Sequence, residues 1–194
     1  MENLKNLLQE PAVNPVAIAG NSLSMSKRAL KKYLDSLNEE QLKEQLLHLY
    51  TSFRDVKVYY DFAFNPNEDK LIAECKEKIA NEYFPVKRKK ARARRSVAQK
   101  YIKHFLSLGV EPMLIADVMW FNIEITQTYN REKKLNQEAF YKSVVRSFDE
   151  AVKYVLVHGL LDQFKKRILD VYEEAKEQQW MFMYSMERTL DLLD

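Results

Sequence analysis

A single cysteine, Cys75, stands in 194 residues, so no disulfide can form within the chain. That excludes the cystine-stapled scaffolds of small secreted domains. Glycine (3) and proline (5) are also scarce. Sandwiches and barrels use these residues at their tight turns, so a turn-rich β fold is excluded as well. The three glycines, Gly20, Gly109 and Gly159, lie far apart and cannot form a phosphate-cradling loop. No serine lies in a nucleophile-elbow context. His48, His104 and His158 stand alone, with no His-Glu-x-x-His or Glu-x-x-His spacing. A zinc or di-iron centre therefore lacks its usual ligands, and neither metal nor cofactor is expected. Long apolar runs are missing too. The greasiest, Met113 to Phe121, contains Asp117 and falls well short of the roughly 30 Å of a bilayer core. The N-terminus carries Glu2 and no apolar stretch of export-signal length. Together with the unpaired cysteine, this sets the expectation of a cytoplasmic protein without membrane contact.

What is present is ordinary core material and much helical punctuation. Hydrophobic residues make up 46% and charged residues 30%, ample for a packed core. Pro11, Pro15 and Gly20 cluster with Asn14, Asn21, Ser22 and Ser24, so residues 1–24 read as a poorly ordered extension, with Met25 as an alternative start. Residues 25–194 read as a single all-helical domain with a basic linker at 85–95. Ser26 can cap a first helix, and Asn38 with Gln41 forms a capping-box variant. The stripe Leu42, Leu46, Leu49, Phe53, Val56, Tyr60 and Ala63 predicts one long helix, with Leu46, Leu49 and Phe53 deeply buried. Asn65 with Pro66 marks the next start, and Pro85 its end. Ser96 opens another helix, Gly109 closes it in a left-handed cap, and Pro112 begins its successor. Asn136 starts a helix ending at His158-Gly159, and a last helix runs from Leu160 to about Leu192. The predicted class is all-α. Short connections suggest antiparallel hairpins in series, an α–α superhelix or solenoid, with a compact irregular bundle as the alternative.

Several segments carry a resemblance: Ser-Lys-Arg-Ala-Leu-Lys-Lys-Tyr-Leu from Ser26, Asn-Pro-Asn-Glu-Asp-Lys from Asn65, and Tyr-Phe-Pro-Val-Lys-Arg-Lys-Lys from Tyr83. With Ser-Val-Ala-Gln-Lys from Ser96 and Leu-Gly-Val-Glu-Pro from Leu108, the chain from Met25 onward resembles a family of small uncharacterised bacterial proteins known only as a domain of unknown function. The resemblance implies a bacterial, cytosolic, helical protein. It brings no substrate and no site residues.

Charge supplies the one anomaly. Lys87, Arg88, Lys89, Lys90, Arg92, Arg94 and Arg95 crowd nine positions, and Lys100 and Lys103 extend the run. No acid occurs between Glu82 and Glu111, although the net charge of the chain is only +3. Closely spaced long cations are what phosphate neutralisation requires, so nucleic acid leads the partners, followed by an acidic protein. The competing reading is a solvated loop neutralised in cis by the acidic last helix, through Asp170, Glu173, Glu174, Glu177, Glu187, Asp191 and Asp194.

A second surface suggests itself in Trp180, Met181, Met183 and Tyr184, which make the last helix apolar on nearly every side. Such a helix is either fully buried or holds a partner, including a second copy of the chain. Two functions follow: a non-enzymatic helical adaptor binding an anionic partner through its basic segment, or a structural, oligomerising module using the last helix. An enzyme would need a cleft around Asp117, Glu124 and a tyrosine. Cys75, between Ile72 and Ile79, reads as a buried, inert thiol.

Overall fold

The protein is described by a computed structural model that covers residues 25–87 and 89–193. The expected extension at 1–24 lies outside the described residues, as do Arg88 and Asp194. Among the described residues there are nine α-helices and no strand. They are α1 (Lys27–Asp35), α2 (Glu39–Ser52), α3 (Arg54–Phe64), α4 (Glu68–Tyr83), α5 (Arg95–Leu108), α6 (Pro112–Glu132), α7 (Glu138–Val157), α8 (Leu161–Glu177) and α9 (Met183–Leu190). The all-α expectation holds. Two units divide at Arg54 and Asp55.

In the first unit, Ser26 caps α1 by accepting from Ala29 N at 3.2 Å. Asn38 and Gln41 close a full capping box on α2, at 2.9 and 3.0 Å. Gln45 donates to the Tyr33 hydroxyl, tying α2 to α1. The long stripe does not run as predicted. Phe53 adopts an extended conformation (φ −120°, ψ 115°), so α2 ends there and the apolar row is divided between α2 and α3. Nor are Leu46, Leu49 and Phe53 buried: their exposures are 48%, 40% and 54%. Periodicity identifies an apolar face, but burial also needs an apolar partner, and α1 carries Lys27, Arg28, Lys31 and Lys32 among its few leucines.

The second unit is organised round α6, which packs against α4, α5, α7 and α8. Its apolar side chains explain this position. Ile115, Val118, Trp120 and Ile123 are at most 1% exposed, and each such burial contributes about 1.5–3 kcal/mol. The Trp120 ring meets Phe148 of α7 edge-on at 5.5 Å. Pro112 occupies the first turn of α6, and Gly109 (φ 73°) ends α5 in the left-handed cap that its lack of Cβ allows.

Three other helix starts differ from expectation. Asn67, not Asn65, caps α4 by accepting from Lys70 N. Neither Ser96 nor Asn136 caps: α5 follows Arg94 and α7 follows Gln137, both without a side-chain cap bond. The last helix is not continuous. Gln179 and Phe182 take left-handed φ values of 55° and 67°, breaking the chain between α8 and α9. Among the described residues, no helix is long and apolar enough to cross a membrane.

Candidate anion-binding site

The basic run forms the connection between α4 and α5. Glu82, buried in the last turn of α4, fixes its return. The Glu82 carbonyl accepts from Arg92 N and Ala93 N, both at 2.9 Å. Its carboxylate accepts Arg94 Nε and Nη2, both at 2.8 Å, a forked pair that favours the charged guanidinium and raises its pKa. Asn81 Oδ1 accepts Val86 N at the other end. Ala91 and Ala93 pack on the core while Arg92 stays exposed between them. Lys87, Lys89 and Lys90 are exposed, as are Lys100 and Lys103 on α5.

The neighbouring cation behaves differently. Arg95 is only 7% exposed. Its guanidinium donates to three hydroxyls: Ser143 Oγ at 3.0 Å, Thr126 Oγ1 at 3.1 Å and Ser147 Oγ at 2.7 Å. Burial pushes its pKa down. Arg95 is therefore removed from the candidate contact residues, because its side chain points into the bundle and not toward a partner. Neutralisation by the last helix is not observed among the described residues either. Glu174 pairs with Arg131, Asp170 with Lys166 and Glu173 with Lys176, whereas Arg94 turns back to Glu82.

The second predicted surface also contracts. Trp180 is 4% exposed, donates its indole N–H to Gln178 Oε1 at 2.9 Å and meets Tyr141 at 5.7 Å. It belongs to the core, because the break after Gln178 turns it inward. Met183 is half-buried, while Met181 and Tyr184 remain exposed.

Asp117 and Glu124 are locked in place. Arg167 of α8 donates to Glu124 at 2.5 and 2.7 Å and to Asp117 at 2.7 Å, and Lys76 of α4 reaches Asp117 at 2.5 Å. Desolvation raises the Asp117 pKa, but the bonds from Lys76 and Arg167 outweigh it and hold the carboxyl below its ordinary value. Both carboxylates serve as interhelical ties here. Cys75 is fully buried, and burial pushes its thiol up to about 12.

One cavity of about 460 Å³ lies between α5, α6 and α7. Lys103, Arg146 and Glu150 supply its charged lining, and Leu106 and Met119 supply apolar surface. Asn122 borders it, but at 1% exposure its amide is sealed from solvent, and its Oδ1 has no hydrogen-bond partner among the described residues. Sequence reasoning missed Asn122. Its signal was a polar side chain between Trp120-Phe121 and Ile123 in the most apolar helix.

The matching family is described as a family of unknown function, DUF6155, and the match spans residues 25–194. The chain belongs to that family. No curated protein and no solved structure matches the chain. The extent of the DUF6155 match takes in α1 through α9, and with them the basic connection and the cavity.

Proposed function

We propose that this DUF6155 member is a non-enzymatic adaptor that binds nucleic acid through the exposed cations of the α4–α5 connection, with Lys100 and Lys103 extending the strip. The observation that carries this reading is the anchoring at Glu82. A loop tied back at its base presents Lys87, Lys89, Lys90 and Arg92 to solvent at little ordering cost on binding. The sequence carries no acid from position 83 to 110, which favours counterion release from a phosphate backbone by those cations.

The test is association with a generic duplex and a generic single strand over a series of salt concentrations. Binding should weaken with salt, and changing Lys87, Lys89, Lys90 and Arg92 together to Gln should reduce the duplex slope by about 3.6 units, or about 0.9 for each phosphate contact. Absence of binding at low salt, or an unchanged slope in the variant, would refute the proposal. The observation that favours a second reading, a protein-binding module, is the exposed apolar row of α2: Leu46, Leu47 and Leu49, followed by Phe53. A negative oligonucleotide result would direct attention there.

A further inference from the structure

We infer that α1 and α2 form the face through which two copies of this chain associate. Neither helix contains a buried residue. They span 9 and 14 residues, and isolated helices shorter than roughly 12–15 residues are marginal in water. Both are nonetheless capped, by Ser26 and by the Asn38–Gln41 box. Leu30, Leu34 and Leu47 stand 43%, 37% and 64% exposed, in addition to Leu46, Leu49 and Phe53. Capped helices that expose this much apolar side chain need a covering surface.

Charge decides the occupant. On α1, Lys27, Arg28, Lys31 and Lys32 outnumber Asp35, whereas on α2, Glu39, Glu40 and Glu44 outnumber Lys43. Within one chain these opposite charges do not meet. Among the described residues no ion pair joins α1 to α2, and Lys43 pairs with Glu39 of its own helix. Lys27 and Lys31 share a helix face with Leu30 and Leu34, at spacings of three and four, and Glu40 and Glu44 share one with Leu47. A two-fold interface sets each patch of one copy against the other patch of its partner. The basic edge of α1 then meets the acidic edge of α2 twice over, and four helices can enclose the rows that two leave open. A chain that carries both halves of a complementary pair, unmatched across its own two helices, selects a second copy of itself. This names a partner for the protein-binding reading of the α2 row. It does not involve the α4–α5 connection, so this result and the oligonucleotide result can fail separately.

Analytical ultracentrifugation of the full chain tests the inference. Dimer should predominate at about 100 μM, a concentration that saturates even a micromolar interface, and should dissociate on dilution. Lys27→Glu with Lys31→Glu should weaken self-association about tenfold, and so should Glu40→Lys with Glu44→Lys, because like charges then face each other. Mixing the two variants in equal amounts should restore a dimer, now between unlike chains, at close to the parent affinity. All four positions are exposed, so the fluorescence of Trp120 and Trp180, both buried in the second unit, should not change. Leu46→Ser with Leu49→Ser should also release monomers. A parent chain that stays monomeric at the higher concentration would overturn the inference and leave the row to residues 1–24 or to a different protein. Dimers that survive both charge reversals intact, or no recovery on mixing, would overturn it equally.

Discussion

Arg92, Arg94 and Arg95 are nearly consecutive and carry the same charge, yet replacing each by Gln should give three different outcomes. Arg95 donates three hydrogen bonds to Ser143, Thr126 and Ser147 from a site that is 7% exposed. At about 1 kcal/mol net for each bond, Arg95→Gln should cost about 3 kcal/mol. In a chain of this size that lowers the thermal midpoint by roughly 6–12 °C. Arg92 is exposed, so Arg92→Gln should stay within about 0.5 kcal/mol of the parent. Arg94→Gln should fall between them, because Glu82 would lose its forked partner while Arg94 itself faces solvent. Oligonucleotide binding should rank the variants in the opposite order. Arg92→Gln should reduce the duplex salt slope by about 0.9, and Arg95→Gln should leave it unchanged. Thermal denaturation and salt-dependent binding on the same three proteins decide the matter. Equal midpoints for Arg92→Gln and Arg95→Gln would refute the interior placement of Arg95 and the reasoning built on its hydroxyl partners.

Acid should weaken the fold through the paired carboxylates. The bond from Arg131 holds the Glu174 pKa below 4.5, and Asp117 lies below 3.8 because Lys76 and Arg167 outweigh its desolvation. Both folded values are depressed, so their contribution is complete above the unfolded pKa and is lost as pH falls through the folded one, below about pH 4. Denaturant titrations across that range should show Asp117→Asn with a flatter acid limb than the parent. Cys75, with its thiol pushed up to about 12, should resist alkylation at neutral pH in the native protein and react fully in denaturant; prompt native labelling would contradict its burial.

The helical class was legible because helix ends are written in local chemistry. Ser26, the Asn38–Gln41 box, Gly109 and Pro112 each satisfy or spare a terminal backbone group using only near neighbours. What lay beyond reach was non-local. Nothing near Phe53 announces its extended conformation, and neither Gln179 nor Phe182 is a residue type that signals a left-handed break. The basic run looked uniform because charge can be read from sequence and direction cannot. Arg94 and Arg95 are distinguished only by Glu82, twelve residues earlier, and by hydroxyls up to 52 residues later. The cavity was equally hidden, since its lining comes from three helices.

The polar face of α6 also bears on how the chain is assembled. Thr126 meets Tyr83 and Arg95, Gln127 donates to the carbonyl of Val171, and Asn130 donates to Gln178 and accepts from Tyr141. The partners come from α4, α5, α7 and α8, so sliding α6 by one turn would unpair them all together. The face works as a register lock. During synthesis it imposes an order. The partners at 83 and 95 precede α6, but those at 171 and 178 are made well after it, and until they arrive Gln127 and Asn130 cannot be fully satisfied away from water. The polar register of α6 is therefore complete only once the chain has been made through Gln178.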